Sequence, residues 1–151
     1  MTDRAQQQEI IEALGVPQHF DLEAETERRI AFLADYLERT GAKGYVLGIS
    51  GGVDSSTAGR LAQLAVERVR ERGGDARFIA IRLPYQVQSD EEDAQRALKF
   101  IHADEQTTIN IGPATDAMWA EVMASDATPD ESALTDFVKG NVKARQRMIA
   151  Q

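Results

Sequence analysis

Cysteine is absent from this 151-residue sequence, and its absence removes three kinds of chemistry at once. A disulfide framework, a thiolate metal site and a cysteine nucleophile are all excluded. Long apolar runs are missing as well. No stretch approaches the roughly 20 apolar residues of a membrane helix, and the opening MTDRAQQQEI lacks the apolar region of a secretory signal. The cytoplasm is the expected location, with no membrane partner. Positive charge is also scarce, 17 Lys and Arg against 25 Asp and Glu, for a net charge of −8. Phosphate backbones reward clustered Lys and Arg, so nucleic acid is not the expected partner. The basic residues are spread through helices, with a modest cluster at Lys139, Lys143, Arg145 and Arg147. His19 lacks a partner pattern and reads as structural or solvated, and His102 falls just past a helix end, where the dipole favours a histidine.

What remains is ordinary for a soluble globular chain: 42% hydrophobic and 28% charged residues. The length suits one domain, which would bury about 70% of its unfolded surface. The expected organisation is a helical segment over 1–43, a βαβ core over 44–111 and a helical segment over 112–151.

The informative stretch is YVLGISGGVDSS, from Tyr45 to Ser56. Tyr45, Val46, Leu47 and Ile49 form a short apolar run, as expected of a buried parallel strand. Ser50-Gly51-Gly52 breaks it, and helical spacing begins at Asp54. A strand turning through glycines into a helix leaves backbone N–H groups unpaired at the positive end of the helix dipole, where phosphate oxygens can approach closely. Ser50, Ser55 and Ser56 add hydroxyls at the same place. The stretch reads as a polyphosphate cradle. Asp54 beside a polyphosphate implies a cation between them, since Mg²⁺ takes oxygens from one carboxylate plus phosphates; the competing reading is a helix N-cap. No Lys follows the glycines, which counts against a Walker A loop.

Elsewhere, Gln6–Leu14 reads as a first helix carrying Ile10, Ile11 and Leu14. A second runs from an Asp21 cap to about Thr40 with Ile30, Leu33, Tyr36 and Leu37 on one face. The helix after the loop should run to about Arg72, with Leu61, Leu64, Ala65 and Val69 inward and Gly73-Gly74 as its stop. Phe78–Leu83 reads as a second strand, parallel to the first. Arg82 near its carboxyl end has two readings: a ligand contact, because open α/β sheets bind ligands there, or a partner for a structural carboxylate. Ser89-Asp90-Glu91-Glu92 reads as a capping box, its acidity explained by the helix dipole rather than by a metal. Thr107–Ile111 reads as a third strand. Gly112-Pro113 opens a helix with Met118, Trp119, Val122 and Met123 as core or interface. Ser125–Asp130 is the stretch expected to be mobile, and Glu131–Gln151 reads as a last helix. An apolar face of Leu134, Phe137, Val138 and Val142 would favour association if uncovered.

SGGVDSS resembles the SGGxDS pyrophosphate loop of the N-type ATP pyrophosphatases, which cleave ATP between the α and β phosphates. LGISGGVDSSTAGRLAQLA, GGDARFIAIRLPYQVQSDEEDAQRAL and FVKGNVKARQRMIAQ are together similar to the bacterial ammonia-dependent NAD synthetase family over nearly the whole chain. The resemblance implies an α/β fold: a parallel-sheet, Rossmann-like N-type ATP pyrophosphatase (adenine nucleotide alpha hydrolase-like) fold. It also implies a ligase that makes NAD from deamido-NAD (nicotinic acid adenine dinucleotide), ATP and ammonia. Mg-ATP adenylates the nicotinate carboxylate with release of pyrophosphate; ammonia then displaces AMP. By matching positions, Gly48, Ile49, Ser50, Gly51, Gly52, Val53, Asp54 and Ser55 would hold the triphosphate. Asp54 would bind Mg²⁺ and act with Ser50 in catalysis. Arg82 and Gln88 would lie near the adenosine of ATP, and Arg145 would contact deamido-NAD, with Lys143 and Arg147 secondary. The loop starts too early, and cysteine is too absent, for a preceding glutaminase; ammonia is the expected donor. A homodimer is implied. The family continues with a GTDHxxE stretch that supplies a Thr to ATP and a Glu to the metal, and this sequence does not contain it. The fold is therefore expected to be incomplete at its C-terminal end, as a fragment or as a degenerate member. A tRNA-modifying relative and a non-catalytic nucleotide-binding half-domain are the rival readings.

Overall fold

The computed structural model describes residues 2–16, 19–86, 91–125 and 136–151. Helices α1 (Thr2–Ala13) and α2 (Leu22–Thr40) lead into strand β1 (Gly44–Gly48). Helix α3 (Val53–Glu71), strand β2 (Arg77–Arg82), helix α4 (Glu91–Ile101) and strand β3 (Glu105–Thr108) follow. Helices α5 (Gly112–Ala124) and α6 (Asp136–Ile149) complete the order. The three strands are parallel in the order β1-β2-β3, with Gly44 opposite Arg77 and Ile79 opposite Glu105. Helices and a parallel sheet make the α/β class. No described helix is long and apolar enough to cross a membrane.

The central strand explains where the core lies. Phe78 and Ala80 of β2 are fully buried, packed with Ala65, Val66 and Val69 of α3 and Ala97, Leu98 and Ile101 of α4. Helix α2 closes the same layer through Ile30, Ala34 and Leu37. Its start agrees with the sequence: the Asp21 carboxylate accepts from Ala24 N–H at 2.9 Å.

Several expectations are corrected. The first strand is not buried on both sides; it lies at an edge of the described sheet, and Val46 is exposed. Tyr36 is exposed and pairs loosely with Phe32, because Ala34 occupies the inward turn of α2 instead. On α3 the inward face is Ala62, Gln63, Ala65, Val66 and Val69, with Leu61 and Leu64 only half-buried. Small residues there let α3 pack closely against both α2 and α4, so its covered arc is wider than one apolar stripe. The third strand runs 105–108 rather than 107–111, and all four residues are exposed. Ile109 and Ile111 still donate to Arg82 O and Pro84 O, but Pro84 has no N–H to return and the ladder stops. Ile111 joins Ile81 and Leu83 in a second, smaller cluster. In the first helix Ile10 and Leu14 are exposed, and in α5 so is Met118. The Ser89 cap, residues 126–130 of the polar loop and Leu134 lie outside the described residues.

Asp104 ties the sheet to α3. It accepts from both terminal nitrogens of Arg70 (2.9 and 3.1 Å), from Phe78 N–H (2.8 Å) and from the buried Gln63 amide (3.1 Å). Burial acts to raise its pKa, and the bonds from Arg70, Phe78 and Gln63 together outweigh that and hold it below the usual carboxylate range. A depressed folded pKa means its contribution is complete above the unfolded value and is lost as pH falls through the folded one. Asp104→Ala should therefore cost about 2–3 kcal/mol at pH 7, with the difference from wild type shrinking below about pH 4. Denaturant unfolding at pH 7 and pH 3 measures this; an equal loss at both would refute the ionic account.

Candidate active site

The carboxyl ends of β1 and β2 open onto one cavity of about 320 Å³. Gly48, Ile49, Ser50, Arg82, Leu83, Arg147 and Gln151 line it. This is where an open parallel sheet presents its ligand crevice. Pairing continues past β1, with Ile49 N–H on Ile81 O at 2.8 Å, and then the chain turns. Gly51 takes φ +93°, and a Cβ there would meet Ala94 N of α4 at 2.8 Å. Both the left-handed backbone and the close approach of α4 require glycine.

The N-cap of α3 is Gly52, with no side-chain cap. That decides one alternative: Asp54 is not the cap. It sits in the first helical turn, exposed, and among the described residues nothing hydrogen-bonds its carboxylate. The serines close on the loop itself. Ser50 N–H and Oγ meet Ser55 Oγ at 3.3 and 3.1 Å, Gly52 N–H donates to Ser50 Oγ, and Ser55 and Ser56 donate to Gly52 O. Those hydroxyls shape the loop and can be re-aimed at an anion without breaking a helix or strand bond. Val53, 81% exposed, adds only its backbone. Among the described residues no group of three or more His, Asp or Glu gathers as a metal cage. One unengaged carboxylate beside an anion-binding helix start nonetheless suits Mg²⁺, which fills its shell with phosphate oxygens and water.

Arg82 is 3% exposed. It donates to Ile49 O at 2.6 Å and to Glu91 Oε2 of α4 at 2.9 Å. Glu91 is held below its usual pKa by its bond from Gln95 and then by Arg82. So Arg82 both walls the cavity and has a structural carboxylate, and Glu91 belongs to the acidic run that the sequence explained by the dipole alone. Gln88 lies outside the described residues. Arg145 is exposed, bonded only within its own helix to Asn141 O and Oδ1, and does not line the cavity. Arg147, rated secondary from sequence, does line it and donates from Nε to Leu83 O at 3.1 Å.

Beyond the loop, Tyr85 donates to Asp116 at 2.6 Å, with Lys139 and Lys143 over its ring at 5.3 and 4.3 Å. The bonds from Tyr85 and Gln86 and the charge of Lys139 keep Asp116 below its ordinary pKa. Tyr85, Lys139 and Lys143 stand in two of the stretches that carry the family resemblance, but Asp116, which joins them, lies in neither and is 31 residues from Tyr85.

A family model for NAD synthase matches residues 25–151. The chain belongs to the NAD synthase family. It is 63% identical over 147 residues to the NH3-dependent NAD+ synthetase of Burkholderia cenocepacia, covering 97% of this chain and 52% of that relative. The chain thus spans about half the length of the curated relatives it matches. The NAD+ synthetase structure from Burkholderia pseudomallei superposes with a TM-score of 0.89 at 56% identity, over 97% of this chain and 63% of that one. The NMN synthetase of Francisella tularensis follows the same fold at a TM-score of 0.68 and 27% identity, over 87% and 49% of the two chains. As an NAD synthase family member, the chain has the parallel-sheet α/β fold expected from its sequence.

Proposed function

We propose that this chain carries the ATP-binding, adenylating site of an ammonia-dependent NAD synthetase. The observation that carries the reading is the open loop from Gly48 to Ser55, ending in an unengaged Asp54, in a member of the NAD synthase family. A carboxylate is a poor electrophile, and passage through an acyl-adenylate divides its amidation into two easier steps. A nicotinate oxygen of deamido-NAD attacks the α-phosphorus of ATP, and pyrophosphate leaves. Ammonia then attacks the acyl carbon, AMP leaves, and the amide of NAD results. The backbone N–H groups of the loop and the start of α3 hold the departing phosphates. Ser50 and Ser55 orient them. Asp54 would hold Mg²⁺, whose part is to neutralise charge on the leaving pyrophosphate. Arg82 and Gln88 stand as adenosine contacts, and Arg145 as the contact to deamido-NAD, in keeping with its exposed position on α6. The 63% identity to the NH3-dependent NAD+ synthetase of Burkholderia cenocepacia favours the dinucleotide substrate. Cytoplasmic homodimer formation belongs to the same proposal, supported by the exposed apolar Phe32, Tyr36 and Val46 beside the edge strand.

Product analysis tests the reading. The full protein carrying this chain, given Mg-ATP, ammonium and deamido-NAD, should release AMP and pyrophosphate with NAD in equal amounts. ADP and orthophosphate as products would overturn it.

A further inference from the structure

We infer that Arg147 is a direct phosphate contact of the nucleotide pocket. The inference rests on the proposed assignment of the Gly48–Ser55 loop as an ATP cradle, and it identifies a cation on the opposite wall. Lys139, Lys143 and Arg147 recur every four residues along one face of α6. The first two are engaged by Tyr85, and Lys139 also by Asp116 at 3.5 Å. Arg147 is the member of the row that reaches the cavity beside Gly48 and Ser50.

Its surroundings suit an anion. The bond from Nε to Leu83 O anchors the base of the guanidinium at the end of β2. Among the described residues, no carboxylate pairs with Arg147 and nothing else hydrogen-bonds its two terminal nitrogens. The other guanidinium on the cavity wall, Arg82, is already offset by Glu91. Arg147 therefore supplies positive charge that no described protein group cancels. A planar fork held at its base and open at its tip matches two phosphate oxygens. Arg145, two residues earlier, points to a different face of α6 and is exposed on it, so the two arginines of the KARQRM stretch are assigned different partners.

Displacement of a fluorescent ATP analogue from the full protein carrying this chain, its folding checked by circular dichroism, tests this, with Mg-ATP and adenosine as competitors. Arg147→Ala should weaken Mg-ATP by about 10- to 100-fold, as loss of a charge-assisted bidentate contact implies, while adenosine shifts less than about twofold. Arg147→Lys, a point charge without the fork, should restore part of the loss. Arg147→Gln keeps a donor toward Leu83 and removes the charge; it should behave as Ala does, and it carries the test if the Ala variant does not fold. Unchanged Mg-ATP affinity in folded Ala or Gln variants would overturn the inference while leaving the cradle intact. Equal losses for adenosine and ATP would overturn it as well, placing Arg147 on the base or in the fold. Failure of the wild-type protein to bind Mg-ATP would overturn the cradle itself, and the inference with it.

Discussion

Asp54→Asn should leave the protein folded and reduce NAD formation about a thousandfold. The folding half follows from the cap. Gly52, not Asp54, caps α3, and the Asp54 carboxylate makes no hydrogen bond with any described residue. Its removal costs only its interaction with the helix dipole, about 0.3–1 kcal/mol. The catalytic half follows from charge. The loop offers backbone N–H groups and hydroxyls but one carboxylate, so an amide at position 54 removes the one anionic ligand that the loop gives Mg²⁺. Metal stabilisation of a leaving pyrophosphate is worth several kcal/mol, and about 4 kcal/mol corresponds to a thousandfold in rate. Steady-state turnover of the full protein with Mg-ATP, paired with a thermal melt, measures both halves. Near wild-type turnover in a folded variant would show that Asp54 is not the metal anchor.

Gly44→Ala should be the most destabilising single-methyl change in the described fold. Gly44 opens β1 with φ +144°, a conformation that L residues rarely adopt. An added Cβ would fall inside the van der Waals shell of the Arg77 carbonyl oxygen, its neighbour across the β1–β2 ladder. That oxygen is backbone and has no rotamer through which to escape. The two strands must part at the end where Arg77 N–H donates to Lys43 O, and the cost is about 4 kcal/mol or more from strain and overlap together. Against a total stability of 5–15 kcal/mol typical of domains, that endangers the fold. Gly41→Ala is the contrast. Gly41 also has positive φ, +70°, but open space around it, so about 1–2 kcal/mol is expected. Chemical denaturation of the two variants separates them. A Gly44→Ala protein as stable as the Gly41→Ala protein would contradict the close-approach argument.

Much of this molecule was legible in the residue order because local rules acted without competition. Asp21 before a helical run caps it. Paired glycines between a short strand and a helix build an open turn at the helix start, and the missing Walker Lys narrows the chemistry. The likeness of three long stretches pointed to one family, and the family model over residues 25–151 bears that out. Arg82 was visible as an anomaly, a charge within an apolar strand, although its partner was not.

Only the tertiary structure decided what depends on neighbours distant in sequence. The strand order β1-β2-β3 puts β2, not β1, at the centre, so Phe78 is buried while Val46 is exposed. Helical periodicity marks a face but not how wide a face is covered, and close packing of α3 between α2 and α4 buried Ala62 and Gln63 instead of Leu61. The Gly52 cap removed the local reading of Asp54. Glu91 became the counterion of Arg82 through a contact that joins a helix start to a strand end. Arg145 and Arg147 stand in one motif two residues apart, which turns them about 200° around a helix of 3.6 residues per turn. The sequence puts Arg145 first and Arg147 second; the packing of α6 against Leu83 sends Arg145 to solvent and Arg147 to the pocket.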